Sequence, residues 1–150
     1  MVKEYPASQY EYWHNEWVNK RVKSVVCGDI CTVTHLPDWN TVIEFENQIA
    51  SFFGAPYAVA VDSCTHGIEL CLRYTEAGSM ACPKRTYLSI PMLAHKLGIG
   101  LYFIDYIWSK YYRVWDDIID AAVLWEPKSY ITNTFMCLSF QYQKHLSLGR

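Results

Sequence analysis

The last stretch of the chain contains a lysine that is placed to do chemistry. Lys144 follows an apolar run at residues 135–140 that is rich in β-forming side chains, and such a run predicts a buried strand. A lysine that emerges from a buried strand is partly desolvated, which favours its neutral, nucleophilic amine. A neutral lysine can form a Schiff base with a carbonyl compound, and Ser139 offers a hydroxyl to an anion beside it. The same position also suits an ordinary solvated loop lysine, so a catalytic role for Lys144 depends on what the rest of the chain contains.

A second candidate site is the turn DSCTHG at residues 62–67. It follows an apolar run at residues 57–61, which predicts a buried parallel strand, and it precedes a helical pattern. The start of a helix exposes unpaired amides and carries a partial positive charge, so small and hydroxyl-bearing residues there favour phosphate binding. Thr65 would add its hydroxyl. An ordinary helix cap made by Asp62, Ser63 or Thr65 is the structural alternative.

The turn at residues 62–67 also contains a cysteine and a histidine. Cys64 at the helix start, with His66 nearby, offers the alternative of an activated thiolate, although no third group that would orient the pair is evident. Neither GxGxxG nor a Walker-type lysine is present, which argues against dinucleotide and nucleoside triphosphate binding.

The composition predicts one soluble, globular body. The chain has 150 residues, of which 51% are hydrophobic and 16% aromatic, enough for a buried core. The net charge is −2 and no basic block is present, so we expect neither nucleic acid nor a membrane as partner. The six cysteines lack paired ligand spacing and follow no secretory signal, which predicts buried thiols, no metal site and a cytoplasmic protein.

Helical and strand patterns alternate along the chain. An amphipathic helix is predicted over residues 8–26, with an aromatic stripe that packs internally or covers a partner subunit. A second helix is predicted from Thr41 to Gly54, and a later one contains Pro91 in its first turn and ends at Gly98.

Short apolar runs at residues 80–82 and 99–104 predict further strands, the second of them buried. The alternation favours an α/β fold with a mostly parallel sheet and helices on both faces. In such sheets ligands bind at the carboxyl ends of the strands, where both the turn at residues 62–67 and Lys144 are expected to lie.

Residues 45–70 read FENQIASFFGAPYAVAVDSCTHGIEL, and this segment resembles one found in the DegT/StrS family of sugar aminotransferases. The resemblance implies a fold type I enzyme that uses pyridoxal 5'-phosphate to aminate keto sugars attached to nucleotides. In that family the turn that binds the cofactor phosphate usually reads SGTA. The resemblance therefore makes Cys64, Thr65 and His66 cofactor-binding residues, of which only Thr65 matches the family pattern.

Three further stretches resemble the family in order and spacing. CPKRTY resembles the segment whose aromatic residue stacks on the pyridine ring, which assigns this role to Tyr87. IIDAA resembles the aspartate followed by two alanines, so Asp120 would bind the pyridine nitrogen and keep it protonated. SFQYQK resembles SFHxxK, which makes Ser139 a phosphate ligand and Lys144 the catalytic lysine that holds the cofactor as a Schiff base. Considered one at a time, Tyr87 also suits a core aromatic residue, Asp120 a strand-end cap and Ser139 a strand hydroxyl.

The resemblance implies ping-pong transamination with two partners, an amino acid donor expected to be glutamate and a nucleotide-linked keto sugar. It also implies a homodimer that takes part in amino sugar and polysaccharide biosynthesis. One alternative is a shortened, non-catalytic homologue that binds pyridoxal phosphate or a sugar nucleotide without turnover. A dehydratase is a further alternative, but the family's dehydratases lack the lysine, and the presence of Lys144 disfavours this reading.

Two departures from the family shape the expected architecture. Asp120 follows Asp105 by only 15 residues, where the family inserts an additional strand and helix, so we expect this part of the sheet to be shortened. The family also continues into a small C-terminal domain. We expect residues 1–40 to form a helix and an irregular connection, residues 41–150 to form part of the cofactor-binding large domain, and the small domain to be absent.

Overall fold

The computed structural model describes residues 39–141 and Lys144. In this part of the chain three helices and five strands follow one another: α1 Asn40–Phe53, α2 Cys64–Tyr74, β1 Ser79–Pro83, α3 Ser89–Leu97, β2 Gly100–Ile104, β3 Tyr112–Trp115, β4 Ile118–Asp120 and β5 Phe135–Cys137. The helix predicted over residues 8–26 and the connection after it lie outside the described residues. None of the helices described is long and apolar enough to cross a bilayer.

The strands form two small, open sheets. β1 and β2 pair in parallel, with Ser79 opposite Gly100 and Pro83 opposite Ile104. In the other sheet β4 lies between β3 and β5, antiparallel to β3 and parallel to β5. The α/β class is therefore confirmed, with one antiparallel pair among the three strand pairs of the described residues.

β3 shows how the chain shortens the connection that precedes Asp120. Between the end of β2 and the start of β4 lie 13 residues, 105–117, which is close to the minimum of about a dozen that a helical crossover between parallel strands needs. The chain instead forms β3, turns at residues 116–117 and returns as β4, because antiparallel neighbours can be joined by a two-residue turn. The expected shortening thus takes the form of a hairpin.

β4 is buried on both of its faces, which pack against different helices. Ile118 belongs to a core that includes Ile68 of α2 and residues of α3, whereas Ile119 packs in a second core with Phe53 of α1. Since side chains alternate along a strand, Asp120 shares a face with Ile118. Asp120, the last residue of β4, therefore lies on the face of the strand that packs against α2.

The predicted helix ends are confirmed. α1 ends at Gly54 and α3 at Gly98, with φ of 74° and 67° in the left-handed region that glycine adopts without steric cost. Pro91 is the third residue of α3 and so lies in the first turn, where no intrahelical bond needs its missing N–H. The end of α3 at Gly98 leads directly into β2, which begins at Gly100.

Two strand predictions are corrected. Residues 57–61 form no strand; Tyr57 is 72% exposed, and the Ala60 N–H donates to Glu46 Oε1 at 2.7 Å instead of to a neighbouring strand. β2 forms as predicted but is not buried, with Tyr102 64% exposed and Phe103 53% exposed. The apolar character of both segments predicted strands that are buried by neighbouring elements. However, β2 is an outer strand with one neighbouring strand, and residues 57–61 pair with no strand of the described residues.

Candidate active site

Asp120 is a buried carboxylate at the end of β4. The residue is 4% exposed, and its two oxygens accept hydrogen bonds from different donors. Oδ2 accepts from the Tyr112 hydroxyl at 2.5 Å, and Oδ1 accepts from the Ala122 backbone N–H at 3.0 Å. Because an ionised carboxylate has about four acceptor positions, each oxygen keeps capacity for one more donor. The carboxylate is thus oriented by the protein and still able to bind a ligand.

The electrostatic setting of Asp120 favours a ligand that brings a proton or a positive charge. Burial raises the pKa of Asp120 above its ordinary value, because the charged form loses its hydration. The hydrogen bonds from Tyr112 and Ala122, and the charge of Lys144, lower this pKa and only partly offset the effect of burial. A protonated ring nitrogen would add a second positive charge, together with a hydrogen bond, to the carboxylate.

Lys144 is close enough to Asp120 and Cys64 for its charge to lower the pKa of both groups. The residue is half-buried, and its backbone N–H donates to the Gln141 carbonyl at 2.8 Å in the segment after β5. β4 and β5 run in parallel, so their carboxyl ends lie at the same edge of the sheet. The structure therefore brings the predicted lysine and the predicted aspartate together at this edge.

The N-termini of α2 and α3 meet beside this edge. Ser63 caps α2, with its hydroxyl accepting from the His66 backbone N–H at 3.2 Å, so the cap and the candidate phosphate turn coincide. Thr65 Oγ1 lies 2.7 Å from the hydroxyl of Ser89, the first residue of α3. Two helix starts, each with unpaired amides and a partial positive charge, thus converge on a pair of hydroxyls. This arrangement suits an anion.

Cys64 and His66, which depart from the family turn, both have partners within the protein. The Cys64 thiol donates to the Cys137 carbonyl at 3.5 Å, and burial raises the pKa of Cys64 to about 12, with the charge of Asp120 acting in the same direction. His66 Nδ1 lies 2.6 Å from Asp62 Oδ1 on the exposed side of the turn. A reactive thiolate requires a lowered pKa, so these contacts argue against the activated-cysteine alternative.

Tyr87 and Ser139 lie in segments next to the network around Asp120. Tyr87 follows β1 and is 77% exposed, while the residue before it, Thr86, has its hydroxyl 2.7 Å from that of Tyr112. Ser139 comes two residues after β5 and is half-buried, with no side-chain hydrogen bond to any other described residue. Among the described residues, neither side chain forms a hydrogen bond with Asp120 or Thr65, and their predicted roles stay predictions.

Three hydroxyls of this region, those of Tyr112, Thr86 and Ser89, were not predicted from the sequence. Tyr112 lies directly opposite Asp120 in the β3–β4 hairpin, where facing side chains are neighbours. The Asp-Asp turn at residues 116–117 signals the hairpin but would by itself place Arg113 opposite Asp120; a register shift between Arg113 and Trp115 brings Tyr112 there instead. Ser89 has a weaker signal, because its contact with Thr65 depends on the packing of α2 against α3.

The fold and this edge of the sheet together define an α/β protein in which a carboxylate, an amine and two helix starts converge. A model of the DegT/DnrJ/EryC1/StrS aminotransferase family matches residues 25–128, more than half of the chain, and the chain belongs to this family. The match spans most of the predicted site but ends before two of its members, Ser139 and Lys144. The searches of curated proteins and of solved structures found no match. Aminotransferases of this family depend on pyridoxal phosphate, so the family indicates an aminotransferase-type function.

Proposed function

We propose that this chain is a pyridoxal-phosphate-dependent aminotransferase that acts on a nucleotide-linked keto sugar, with glutamate as the amino donor. The observation that carries the proposal is the proximity of Lys144 to the buried carboxylate of Asp120 in a member of an aminotransferase family. Residues 41–150 would then form part of a fold type I large domain, preceded by the helix and connection of residues 1–40. The proposal includes a cytoplasmic homodimer.

Pyridoxal phosphate has three groups that the site residues suit. Asp120 would bind the pyridine nitrogen, using acceptor capacity that Tyr112 and Ala122 leave free. The phosphate would lie at the start of α2, against the hydroxyls of Thr65 and Ser139. Tyr87, which is 77% exposed, would cover the ring face.

Of the two departing residues, Cys64 would contribute through its backbone. The side chains of Cys64 and His66 already have partners, Cys137 and Asp62, and the His66 amide donates to the Ser63 hydroxyl, but the Cys64 amide lies in the first turn of α2. A phosphate at a helix start is bound largely by such amides, so side-chain identity matters less there. The exposed Asp62 carboxylate beside the turn is paired with His66, which limits its repulsion of an anion.

Four residues of the chain would have different roles in amino transfer. When bound, pyridoxal phosphate supplies a carbonyl carbon and a ring that accepts an electron pair. Lys144 would hold the cofactor through its amine and, once displaced by the amino donor, would accept and return the proton at the substrate carbon. Asp120 would keep the ring nitrogen protonated, which makes loss of that proton easier. Thr65 and Ser139 would fix the phosphate so that the reacting carbon stays beside Lys144.

The proposal is tested by following amino transfer from glutamate. The full chain, loaded with pyridoxal phosphate, should release 2-oxoglutarate in stoichiometric amount and then convert a nucleotide-linked keto sugar to an amino sugar, detected by mass spectrometry. Lys144→Ala should release none, whereas Lys84→Ala, which removes an exposed lysine after β1, should behave like the wild type. A folded chain that binds the cofactor but releases no oxo acid from any amino acid would contradict the proposal and support a non-catalytic homologue.

A further inference from the structure

Tyr112 connects Asp120 to the loop that follows β1. Tyr112 is 2% exposed, and its hydroxyl lies 2.5 Å from Asp120 Oδ2 and 2.7 Å from the Thr86 hydroxyl. Its ring packs edge-on against Trp108, with the centroids 4.9 Å apart. The aromatic ring therefore belongs to the core, while the hydroxyl belongs to a chain of three polar groups.

The direction of these hydrogen bonds follows from the number of protons. A tyrosine hydroxyl has one proton, and an ionised carboxylate can only accept, so Tyr112 donates to Asp120. Thr86 must then donate to the Tyr112 oxygen. Burial, together with the charge of Asp120, raises the pKa of Tyr112, so the hydroxyl keeps its proton. The chain of donors runs from Thr86 through Tyr112 to Asp120.

We propose that Tyr112 is a positioning residue, which with Thr86 behind it holds the carboxylate of Asp120 ionised and oriented toward the ring nitrogen of the cofactor. The inference rests on the proposed function, which supplies pyridoxal phosphate as the ligand. The protonation of Asp120 can nevertheless be measured in the chain without the cofactor. Nothing in the family match distinguishes Tyr112 from its neighbours, so the assignment depends on its two hydrogen bonds.

Three further side chains near Asp120 come from α2, from β5 and from the segment after β5. The pKa of Cys64, at the start of α2, is raised by burial, and that of Cys137, at the end of β5, is raised by the hydrogen bond with Cys71 and by burial, so both thiols stay neutral. Lys144, after β5, is the cation whose charge acts on Asp120. Of these three side chains only Lys144 favours the ionised form, and it does so through its charge and not through a hydrogen bond to Asp120. The Tyr112 hydroxyl is therefore the side-chain donor whose removal should change Asp120 most.

The test uses Tyr112→Phe, which keeps the packed ring and removes only the hydroxyl. Carboxyl ¹³C NMR of the full chain without cofactor would follow the titration of Asp120, assigned by the signal that is lost in Asp120→Asn. Losing a hydrogen bond to a charged group should raise the titration midpoint by about one to two pH units. Tyr111→Phe, at the half-exposed neighbouring tyrosine, is the matched control and should leave the midpoint unchanged. An unchanged midpoint in folded Tyr112→Phe would overturn the proposal.

Thr86 supplies a second test that does not depend on how well Tyr112→Phe folds. Thr86→Val should raise the Asp120 midpoint in the same direction by a smaller amount, and Thr86→Ser, which restores a hydroxyl, should return it to the wild-type value. Equal midpoints in the two Thr86 variants would also overturn the proposal.

Binding of pyridoxal phosphate separates this inference from the proposed function. If both hold, wild-type chain binds the cofactor and Tyr112→Phe binds it roughly tenfold more weakly, in keeping with one lost charge-assisted bond. Failure of the wild type to bind would count against the proposed function and leave the titration result as it stands. Equal affinities in wild type and Tyr112→Phe would count against the role of Tyr112 alone.

Discussion

Asp105 and Asp120 both stand at the carboxyl ends of strands, and their surroundings differ. Asp105 comes directly after β2; its side chain is 80% exposed and pairs with Lys84 at 2.9 Å. Asp120 ends β4, is 4% exposed and accepts hydrogen bonds from Tyr112 and Ala122. The same residue type in the same topological position is an exposed ion-pair partner in one case and a buried, oriented anion in the other.

The difference arises from what covers each strand. β2 is an outer strand with one neighbour, whereas β4 lies between two strands and has a core on each face. Water screens the charge of Asp105, so its interactions contribute little free energy. Asp120 is shielded from water, and each donor or charge near it has a larger effect. Burial of the strand end thus separates a candidate catalytic aspartate from an ordinary surface one.

The largest expected contrast between the two aspartates is in cofactor binding. Asp120→Asn should weaken binding of pyridoxal phosphate roughly tenfold to a hundredfold, because a hydrogen bond to a charged group contributes about 1.5–3 kcal/mol. Asp105→Asn should change it less than about twofold, as expected of an exposed pair. Spectrophotometric titration measures both affinities. Similar losses in the two variants would remove the distinction between the two strand ends.

The pH dependence of the free energy of unfolding should reflect the raised pKa of Asp120. Its pKa is raised in the folded chain, so it contributes stability that is fully present below the unfolded value of about 3.9 and is lost as pH rises through the folded pKa. Urea unfolding at a series of pH values should show the stability of the wild type relative to Asp120→Asn falling as pH rises. A difference that grows with pH would mean that the folded chain favours the charged carboxylate.

A smaller effect is expected at the hydroxyl pair where α2 and α3 meet. Thr65 and Ser89 share a partly buried hydrogen bond of 2.7 Å, which should contribute about 0.5–1.5 kcal/mol. A double-mutant cycle with Thr65→Val and Ser89→Ala, read by urea unfolding, should give a coupling free energy in this range. A coupling near zero would show that the two helix starts do not depend on this contact.

The smallest effect is expected for the exposed pair at the outer strand. A cycle with Lys84→Ala and Asp105→Ala should give a coupling of about 0.2–1 kcal/mol at low salt and less at high salt. The side chains are 55% and 80% exposed, so solvent competes for both. A coupling larger than that of the Thr65 and Ser89 pair would reverse the ranking that burial predicts.

Local signals were sufficient for two helix ends and for two strands of the described residues. Gly54 and Gly98 adopt left-handed conformations that end helices, and this preference is a property of the residue itself. The apolar run at residues 80–82 forms β1, and the first three residues of the run at 135–140 form β5.

Properties that depend on neighbours far along the chain could not be predicted in the same way. The apolar run at residues 57–61 suggested a buried strand, yet it pairs with no strand of the described residues and is largely exposed. Tyr112 and Ser89 acquire their roles from the β3–β4 register and from helix packing, which single residues do not encode. Apolar character predicts that a segment prefers burial, but the available neighbours decide whether it is buried.

The most direct test of the account is whether Lys144 holds pyridoxal phosphate. The purified chain would be mixed with the cofactor, its visible absorbance recorded before and after borohydride reduction, and the reduced adduct located by peptide mapping. We expect a visible band and an adduct on Lys144, which is lost in Lys144→Ala and retained in Lys84→Ala. A well-folded chain with no adduct, or with the adduct on another lysine, would contradict it.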